Sequence, residues 1–183
     1  MTTREKQRLI TAEEFARLPD DAVRRELVRG RIVEMCPAGG RHGIVAENIA
    51  DIVKPHVKAQ ALGRMPLADT GYFIARDPDV VRAPDLAFIA RDRMPDPIPD
   101  GFFEIPPDLA IEIVSPGDRY QDVLEKAAEY LDHGVREVWI VYDPRRIEVL
   151  RQGENPFVVV PGMQLETPLL PGLSIAVADV FAP

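Results

Sequence analysis

The sequence predicts an α/β fold of the α+β kind: a mixed β-sheet flanked by helices, in one domain that spans residues 1–183. The first observation is a short apolar segment bounded by prolines, Pro107 to Pro116, which is typical of a central strand buried on both faces. The second is an amphipathic segment followed by another apolar strand through Tyr142. Such a strand–helix–strand unit implies a parallel pair of strands. Of the 183 residues, 46% are apolar, which is enough to fill one core.

Capping signals, glycines and prolines place the elements of the first half. Thr11 to Glu14 has the capping-box pattern that opens a helix, and Arg29-Gly30 separates the two segments of a hairpin. In chain order, the predicted elements are a helix through Leu18 closed by Pro19, strands over 24–28 and 31–35, a helix from near Arg41 to about Ala59 disturbed at Pro55, extended segments over 65–68, 71–75 and 86–90, and a proline-rich surface loop over 93–107.

The second half contains the strand–helix–strand unit and a tail. Its predicted elements are the buried strand, a helix over 118–133 closed by Gly134, a strand over 135–142, a hairpin of 147–150 and 157–160, and a last strand and short helix within 165–181. Trp139 and Cys36 are expected in the core. Ser115 to Asp118 is expected to turn the chain and cap the helix, since no histidine and acid are placed to activate Ser115 as a nucleophile.

Composition excludes several classes of protein. The single cysteine, Cys36, rules out an intramolecular disulfide and indicates a reducing compartment. The N-terminal residues are polar and no apolar signal core follows them. No apolar run approaches the roughly 18 residues that span a bilayer. We therefore expect a cytoplasmic protein without a membrane partner.

The charge balance argues against nucleic-acid binding through the global field. The formal net charge is −8, although a local basic face is compatible with it. Eighteen of the 22 cationic side chains are arginines, so a lysine at a special position carries extra information. The arginines that we expect to contact phosphate, if any do, are Arg24, Arg25, Arg29, Arg31, Arg41, Arg82, Arg91 and Arg93.

Two carboxylates stand out as a candidate site. Glu112 lies in the middle of the buried strand, where a charge costs several kcal/mol unless it is paired, hydrogen-bonded or bound to a cation. Asp85 follows Pro84 at the start of the strand over 86–90, so both carboxylates approach one point if the two strands pair. Oxygen ligands of this kind suit a hard cation such as Mg²⁺ or Mn²⁺.

Lys126 lies at the edge of the apolar stripe of the helix over 118–133. A lysine there extends its stem along the core and delivers its ammonium to the end of the preceding strand. Beside a metal-bound water it orients or helps to deprotonate the nucleophile, or stabilises the transition state.

Each of these residues also has a structural interpretation. Asp85 is compatible with a simple turn start, and Glu112 with a buried glutamate paired to an arginine. Asp122 lies one helical turn before Lys126, so an ordinary surface ion pair of about 0.3–0.5 kcal/mol also accounts for the lysine. The functional interpretation depends on the three residues occurring in one strand–strand–helix frame.

Several motifs together carry a family resemblance that spans nearly the whole chain. They are Glu26-Leu27-Val28-Arg29-Gly30 with the downstream His42, Ala83-Pro84-Asp85-Leu86, Glu112-Ile113-Val114-Ser115-Pro116, Lys126, Gly134-Val135, and Trp139 with Asp143-Pro144. With them the chain resembles the Uma-type putative restriction endonuclease family, within the PD-(D/E)xK nuclease superfamily. The resemblance implies a restriction-endonuclease-like core with a metal-dependent phosphodiesterase site.

The same resemblance implies roles for individual residues. Asp85 corresponds to the metal-binding aspartate and Glu112 to the acidic residue of the second half-motif. Val114 stands where that motif has a lysine, and Lys126 of the following helix would supply it. The main-chain carbonyl of Val114 is a candidate metal ligand.

Glu26 and His42 are expected in an outer part of the site. For His42 a helix-start or surface role is the alternative, and for Glu26 a salt bridge of the hairpin.

The expected function is Mg²⁺- or Mn²⁺-dependent hydrolysis of DNA phosphodiester bonds. Two alternatives remain: a catalytically inactive module of the same fold acting in nucleic-acid binding or dimerisation, and a hydrolase for a small phosphoester. We expect a homodimer, since cutting both strands of a duplex usually takes two active sites. The nearest oxygens of Asp85 and Glu112 should lie about 3–5 Å apart, within one metal's coordination sphere.

Overall fold

The computed structural model describes residues 8–19, 21, 23–142 and 145–183. Within these residues lie four α-helices: α1 (Ala12–Phe15), α2 (Gly40–Ala59), α3 (Tyr120–Asp132) and α4 (Val177–Val180). The strands are β1 (Arg25–Val28), β2 (Arg31–Glu34), β3 (Gly63–Arg64), β4 (Tyr72–Ala75), β5 (Val80–Arg82), β6 (Leu86–Ala90), β7 (Leu109–Ile113), β8 (Glu137–Tyr142), β9 (Arg146–Arg151), β10 (Phe157–Val159), β11 (Gln164–Glu166) and β12 (Ser174–Ala176). The predicted mixed α+β class is confirmed.

The larger sheet has six strands in the order β10-β9-β8-β7-β6-β3. β7 and β8 run parallel, as the strand–helix–strand unit predicted, and the other neighbours are antiparallel. β7 lies in the interior of the sheet, and apolar side chains cover both of its faces: Leu109 and Ile111 pack in one cluster and Ala110 in the other. The predicted central strand is confirmed.

The smaller sheet has four strands in the order β2-β1-β5-β4. Arg29 and Gly30 connect β1 to β2 with φ values of 50° and 72°, which fits a two-residue turn of the kind that matches the twist of antiparallel strands. All four residues of β2 are exposed, whereas Glu26 and Leu27 of β1 are buried. The smaller sheet thereby places the buried side chain of Glu26 against the helix that follows β7.

α2 covers one face of the larger sheet. Its residues Val45, Ile49 and Val53 recur at helical spacing and are buried in the core. The helix continues through Pro55 to the predicted end at Ala59. Its first turn, which includes His42, thereby lies near the start of β6.

α3 covers the opposite face. Ala127 and Tyr130 are buried, and Gly134 follows the helix with a φ of 98°, as expected for a glycine stop. Asp118 accepts a hydrogen bond from the Ser115 N–H and thus closes the predicted turn. The predicted cap is wrong, because the residue at the N-terminal cap is Arg119 and its side chain makes no capping bond.

Other differences from the predicted elements have local causes. α1 has the predicted capping box but ends at Phe15, because Arg17 and Leu18 make tighter i→i−3 bonds. Pro66 lacks an N–H, which fits the absence of a strand over 65–68; the chain pairs instead at β3. β5, with three residues, was not predicted, and the tail forms two strands before α4.

The two residues expected in the core have different outcomes. Trp139 is buried, as predicted. Cys36 is exposed, because it follows β2 at the edge of the smaller sheet. No helix in the described ranges combines the length and apolar character needed to cross a bilayer.

Candidate active site

The register of β6 and β7 places Asp85 across from Glu112. Leu86 pairs with Ile111 in the antiparallel ladder, so continuing the register by one residue puts Asp85 opposite Glu112. Residues directly opposite each other in an antiparallel pair point to the same face of the sheet. The expectation that both carboxylates approach one point depended on this pairing, and the two strands do pair.

The side chain of Asp85 accepts a main-chain hydrogen bond at the end of the β6–β7 ladder. Its Oδ2 accepts the Ile113 N–H at 2.8 Å and lies 3.0 Å from His42 Nε2. Burial raises the pKa of Asp85, but the hydrogen bonds from His42 and the Ile113 N–H more than offset it, so the pKa is below its ordinary value. Asp85 is therefore an anion at neutral pH.

Glu112 is held by two residues of α3. Lys126 Nζ lies 2.9 Å from Oε1 and 3.0 Å from Oε2, and the Tyr130 hydroxyl donates to Oε1 at 2.8 Å. Burial raises the pKa of Glu112 to about 7, Asp85 and Glu26 add to the rise, and Lys126 opposes it. The alternative of a structural pair with an arginine does not apply, since its partner is a lysine.

Lys126 contacts a second carboxylate. Its Nζ lies 3.0 Å from Glu26 Oε1, so the ammonium stands between Glu26 and Glu112, and the side chain is only 14% exposed. Burial lowers the pKa of Lys126, but the two carboxylates more than offset it, so the net shift is upward. The surface pair with Asp122 is not what engages this lysine.

Glu26 reaches the site from β1. It is 3% exposed and accepts hydrogen bonds from Arg82 Nη1 at 2.9 Å and from the Ala83 N–H at 3.0 Å. Burial raises its pKa, but Lys126 and Arg82 bring it below the ordinary value. Of the two carboxylates beside Lys126, Glu26 thus keeps its charge more firmly than Glu112. Its salt bridge connects β1 to β5 and to α3, instead of the two strands of the hairpin.

Sequence reasoning missed two supporting residues. Arg82 was expected to contact phosphate, but its guanidinium also binds Glu129 of α3, at 2.6 and 2.8 Å. Tyr130 was placed in the buried stripe without its hydrogen bond to Glu112. A signal was available for Tyr130, because it lies four residues after Lys126 and so shares its helix face.

A cleft of about 800 Å³ lies over the two carboxylates and Lys126. Its lining includes Glu26, His42, Asp85, Glu112 and Lys126, together with the exposed apolar side chains of Leu18, Val23 and Met35. Most of the expected site residues therefore line one cleft. The separation of about 3–5 Å between Asp85 and Glu112 oxygens remains a prediction.

The main-chain metal ligand expected at Val114 stays a prediction, and strand geometry offers the Ile113 carbonyl as a second candidate. In an extended strand the N–H and C=O of one residue point to the same side. The Val114 N–H bonds to Val141 O on the β8 side, whereas the Ile113 N–H bonds to Asp85. The carbonyl of Ile113 thus lies on the Asp85 side.

The oxygen atoms at the site are of the type that a hard cation binds. Within the described ranges, no group of three or more His, Cys, Asp or Glu side chains is arranged to hold a metal ion. Two carboxylates and a main-chain carbonyl nevertheless fit Mg²⁺, which usually takes one or two carboxylates and keeps several waters or substrate oxygens. Asp85, Glu112 and the Ile113 carbonyl would provide such a set.

Several expected phosphate-contacting arginines are paired with acids. Arg24 pairs with Asp69, Arg25 with Asp21, and Arg93 with Asp108. Arg29 is 74% exposed and lies 3.8 Å from Glu129. The local basic face that the sequence left open is thus partly neutralised within the chain.

The comparisons with known proteins agree with this fold. Residues 12–178 match the profile of the family described as "Uma2: Putative restriction endonuclease". A solved structure, described as a putative nuclease belonging to DUF820 from Anabaena variabilis ATCC 29413, is similar with a TM-score of 0.83 and 25% identity, over 94% of this chain and 97% of that chain. Among curated proteins, none matches this chain. The similarity to a nuclease-fold structure confirms the predicted fold, and the chain belongs to the Uma2 family of putative restriction endonucleases.

Proposed function

We propose that the protein is a Mg²⁺- or Mn²⁺-dependent endonuclease that hydrolyses DNA phosphodiester bonds. The observation that carries the proposal is the position of Lys126. Its ammonium contacts Glu112 although it comes from α3, in a cleft that Asp85 also lines. A helix-borne lysine thus supplies the cation that Val114 cannot provide.

Asp85, Glu112 and the Ile113 carbonyl would hold the metal ion. When bound, such an ion stabilises charge on the phosphoryl oxygens and lowers the pKa of a bound water. Asp85 contributes a charged oxygen, since its pKa is lowered. Glu112 has a pKa raised to about 7, so it releases its proton near neutrality.

Lys126 acts as a fixed positive charge in this proposal. Because its pKa is raised, the side chain is protonated at neutral pH and cannot accept a proton from water. It orients the attacking water and stabilises negative charge in the transition state. Glu26 holds the ammonium in place from the other side.

The alternative is an inactive module of the same fold that acts in nucleic-acid binding or dimerisation. It is favoured by the acidic net charge of −8 and by the pairing of cleft residues Arg24 and Arg25 with carboxylates. Both observations lower the expected affinity for phosphate backbones.

A homodimer and a cytoplasmic location, both expected from the sequence, are part of the main proposal.

Cleavage of supercoiled and linear DNA in Mg²⁺ or Mn²⁺ tests the proposal. Glu112→Gln and Lys126→Ala should each lower the rate by about 10²–10⁴-fold, the range of a lost acid–base or electrostatic contribution. The matched controls are Glu47→Gln and Lys58→Ala, which alter exposed residues of α2. Unchanged cleavage in both site variants contradicts the assignment. A wild type that binds DNA in an anisotropy assay without cutting it favours the inactive module.

A further inference from the structure

The two hydrogen bonds that Asp85 accepts end on the same oxygen. The Ile113 N–H donates to Oδ2 at 2.8 Å, and His42 Nε2 lies 3.0 Å from that atom. Because an ionised carboxylate only accepts, His42 Nε2 carries the hydrogen of this bond. Among the described residues, none donates a hydrogen bond to Oδ1. The carboxylate is therefore held through one oxygen, and the other remains available.

The histidine that makes this contact stands on a rigid element. His42 lies in the first turn of α2, a helix of 20 residues whose Val45, Ile49 and Val53 are packed in the core. Asn48 of the same helix donates to the main-chain oxygens of Val180 and Ala182. A side chain fixed by core packing keeps its position more closely than one on a loop.

Apart from the bond to Asp85, the surroundings of His42 are unfavourable for a polar ring. Its side chain is 13% exposed, and its second nitrogen, Nδ1, is buried without a hydrogen-bond partner among the described residues. An unsatisfied buried polar atom destabilises a protein by about 1–3 kcal/mol. An apolar residue at this position would avoid that penalty but would leave Asp85 without its side-chain donor.

We propose that His42 is a positioning residue that, together with the Ile113 N–H, holds Asp85 Oδ2 so that Oδ1 alone is presented to a divalent cation. This inference rests on the proposed metal-dependent function and adds a geometry to it. Asp85 is then a monodentate ligand with a fixed orientation. Glu112 differs, because Lys126 and Tyr130 already contact its two oxygens.

Binding of Mn²⁺ alone, measured by calorimetric titration and by electron paramagnetic resonance, tests this role without any DNA cleavage. His42→Ala should weaken Mn²⁺ affinity by about 10–100-fold, the usual effect of removing a residue that orients a metal ligand. His42→Gln restores an N–H donor and should recover most of the affinity. The matched control is His56→Ala, since His56 stands on the same helix and bonds through Nε2 to the Pro171 carbonyl, away from the site.

The outcomes separate this inference from the proposed function. A wild type that does not bind Mn²⁺, or Asp85→Asn with unchanged affinity, overturns the metal site itself. If Asp85→Asn loses affinity while His42→Ala binds as well as wild type, only the role of His42 is overturned. A folded His42→Gln that binds as weakly as His42→Ala also overturns it, because the hydrogen-bond donor is then not the cause. Thermal unfolding in EDTA establishes which variants are folded.

Discussion

Removal of the buried ammonium of Lys126 gives the sharpest test of the site's electrostatics. Lys126→Met keeps most of the apolar stem but leaves Glu26 and Glu112 without the charge that lies 2.9–3.0 Å from their oxygens. Breaking a buried ion pair costs about 3–5 kcal/mol. Glu26 keeps its bonds from Arg82 and the Ala83 N–H, so we expect the lower end, about 3 kcal/mol in the free energy of unfolding.

The sign of the pH dependence follows from Glu112. Its pKa is about 7 in the folded protein and 4.5 in the unfolded chain, so the folded state loses stability as the pH rises between these values. Without the ammonium the folded pKa rises further, and the loss continues to higher pH. The difference between Lys126→Met and wild type should therefore be smaller near pH 5.5, where the lost pair with the ionised Glu26 accounts for it, and should reach about 3 kcal/mol near pH 8.

Urea denaturation in EDTA at the two pH values measures this difference. Lys58→Met is the matched control, since Lys58 is exposed on α2 and its loss should change the free energy of unfolding by no more than about 0.5 kcal/mol. A Lys126→Met loss that is equal at both pH values, or below about 1 kcal/mol at the higher one, refutes the buried ion pair.

Two further predictions test the frame around this lysine. Val114→Lys in a Lys126→Ala background places an ammonium one residue beyond β7, on the side of the sheet where Ala110 packs and two residues from Glu112. Supercoiled-DNA cleavage should recover by about tenfold or more, and Val114→Met in the same background should recover nothing. Arg82→Met leaves Glu26 and Glu129 with one cation fewer between them, so urea denaturation in EDTA should show a loss of about 3–5 kcal/mol. The same change at the exposed Arg31 should be nearly neutral, and an equal loss in both variants would contradict the buried network.

The sequence predicted the strand that carries Glu112 better than it predicted the partners of the site's side chains. The apolar run around Glu112 identifies a buried strand because a charge there is unfavourable without a partner. The partner itself depends on how far α3 is rotated and where it crosses the sheet, and this follows from tertiary packing. Lys126 was expected to reach the strand end, and it does. Its second contact, with Glu26, depends on the docking of a different sheet and has no local signal.

Short elements were the least predictable part of the fold. β5 has three residues and β3 has two, too few for an alternating pattern to appear. Arg82 at the end of β5 was expected to contact phosphate, and its pairs with Glu26 and Glu129 were not predicted. Cys36 was expected in the core, but it is exposed, and its exposure follows from β2 being the outermost strand of the smaller sheet.

The ammonium of Lys126 also has a mechanical consequence. One of its carboxylate partners, Glu26, belongs to the four-stranded sheet, and the other, Glu112, belongs to the six-stranded sheet. The candidate site therefore depends on an ionic contact between two separately hydrogen-bonded sheets. A chain that lacked the first hairpin would keep Asp85, Glu112 and Lys126 but would lose the contact between Lys126 and Glu26. Leu27 is buried beside Glu26 in β1, so substitutions that loosen its packing would weaken the same contact without altering a residue of the cleft.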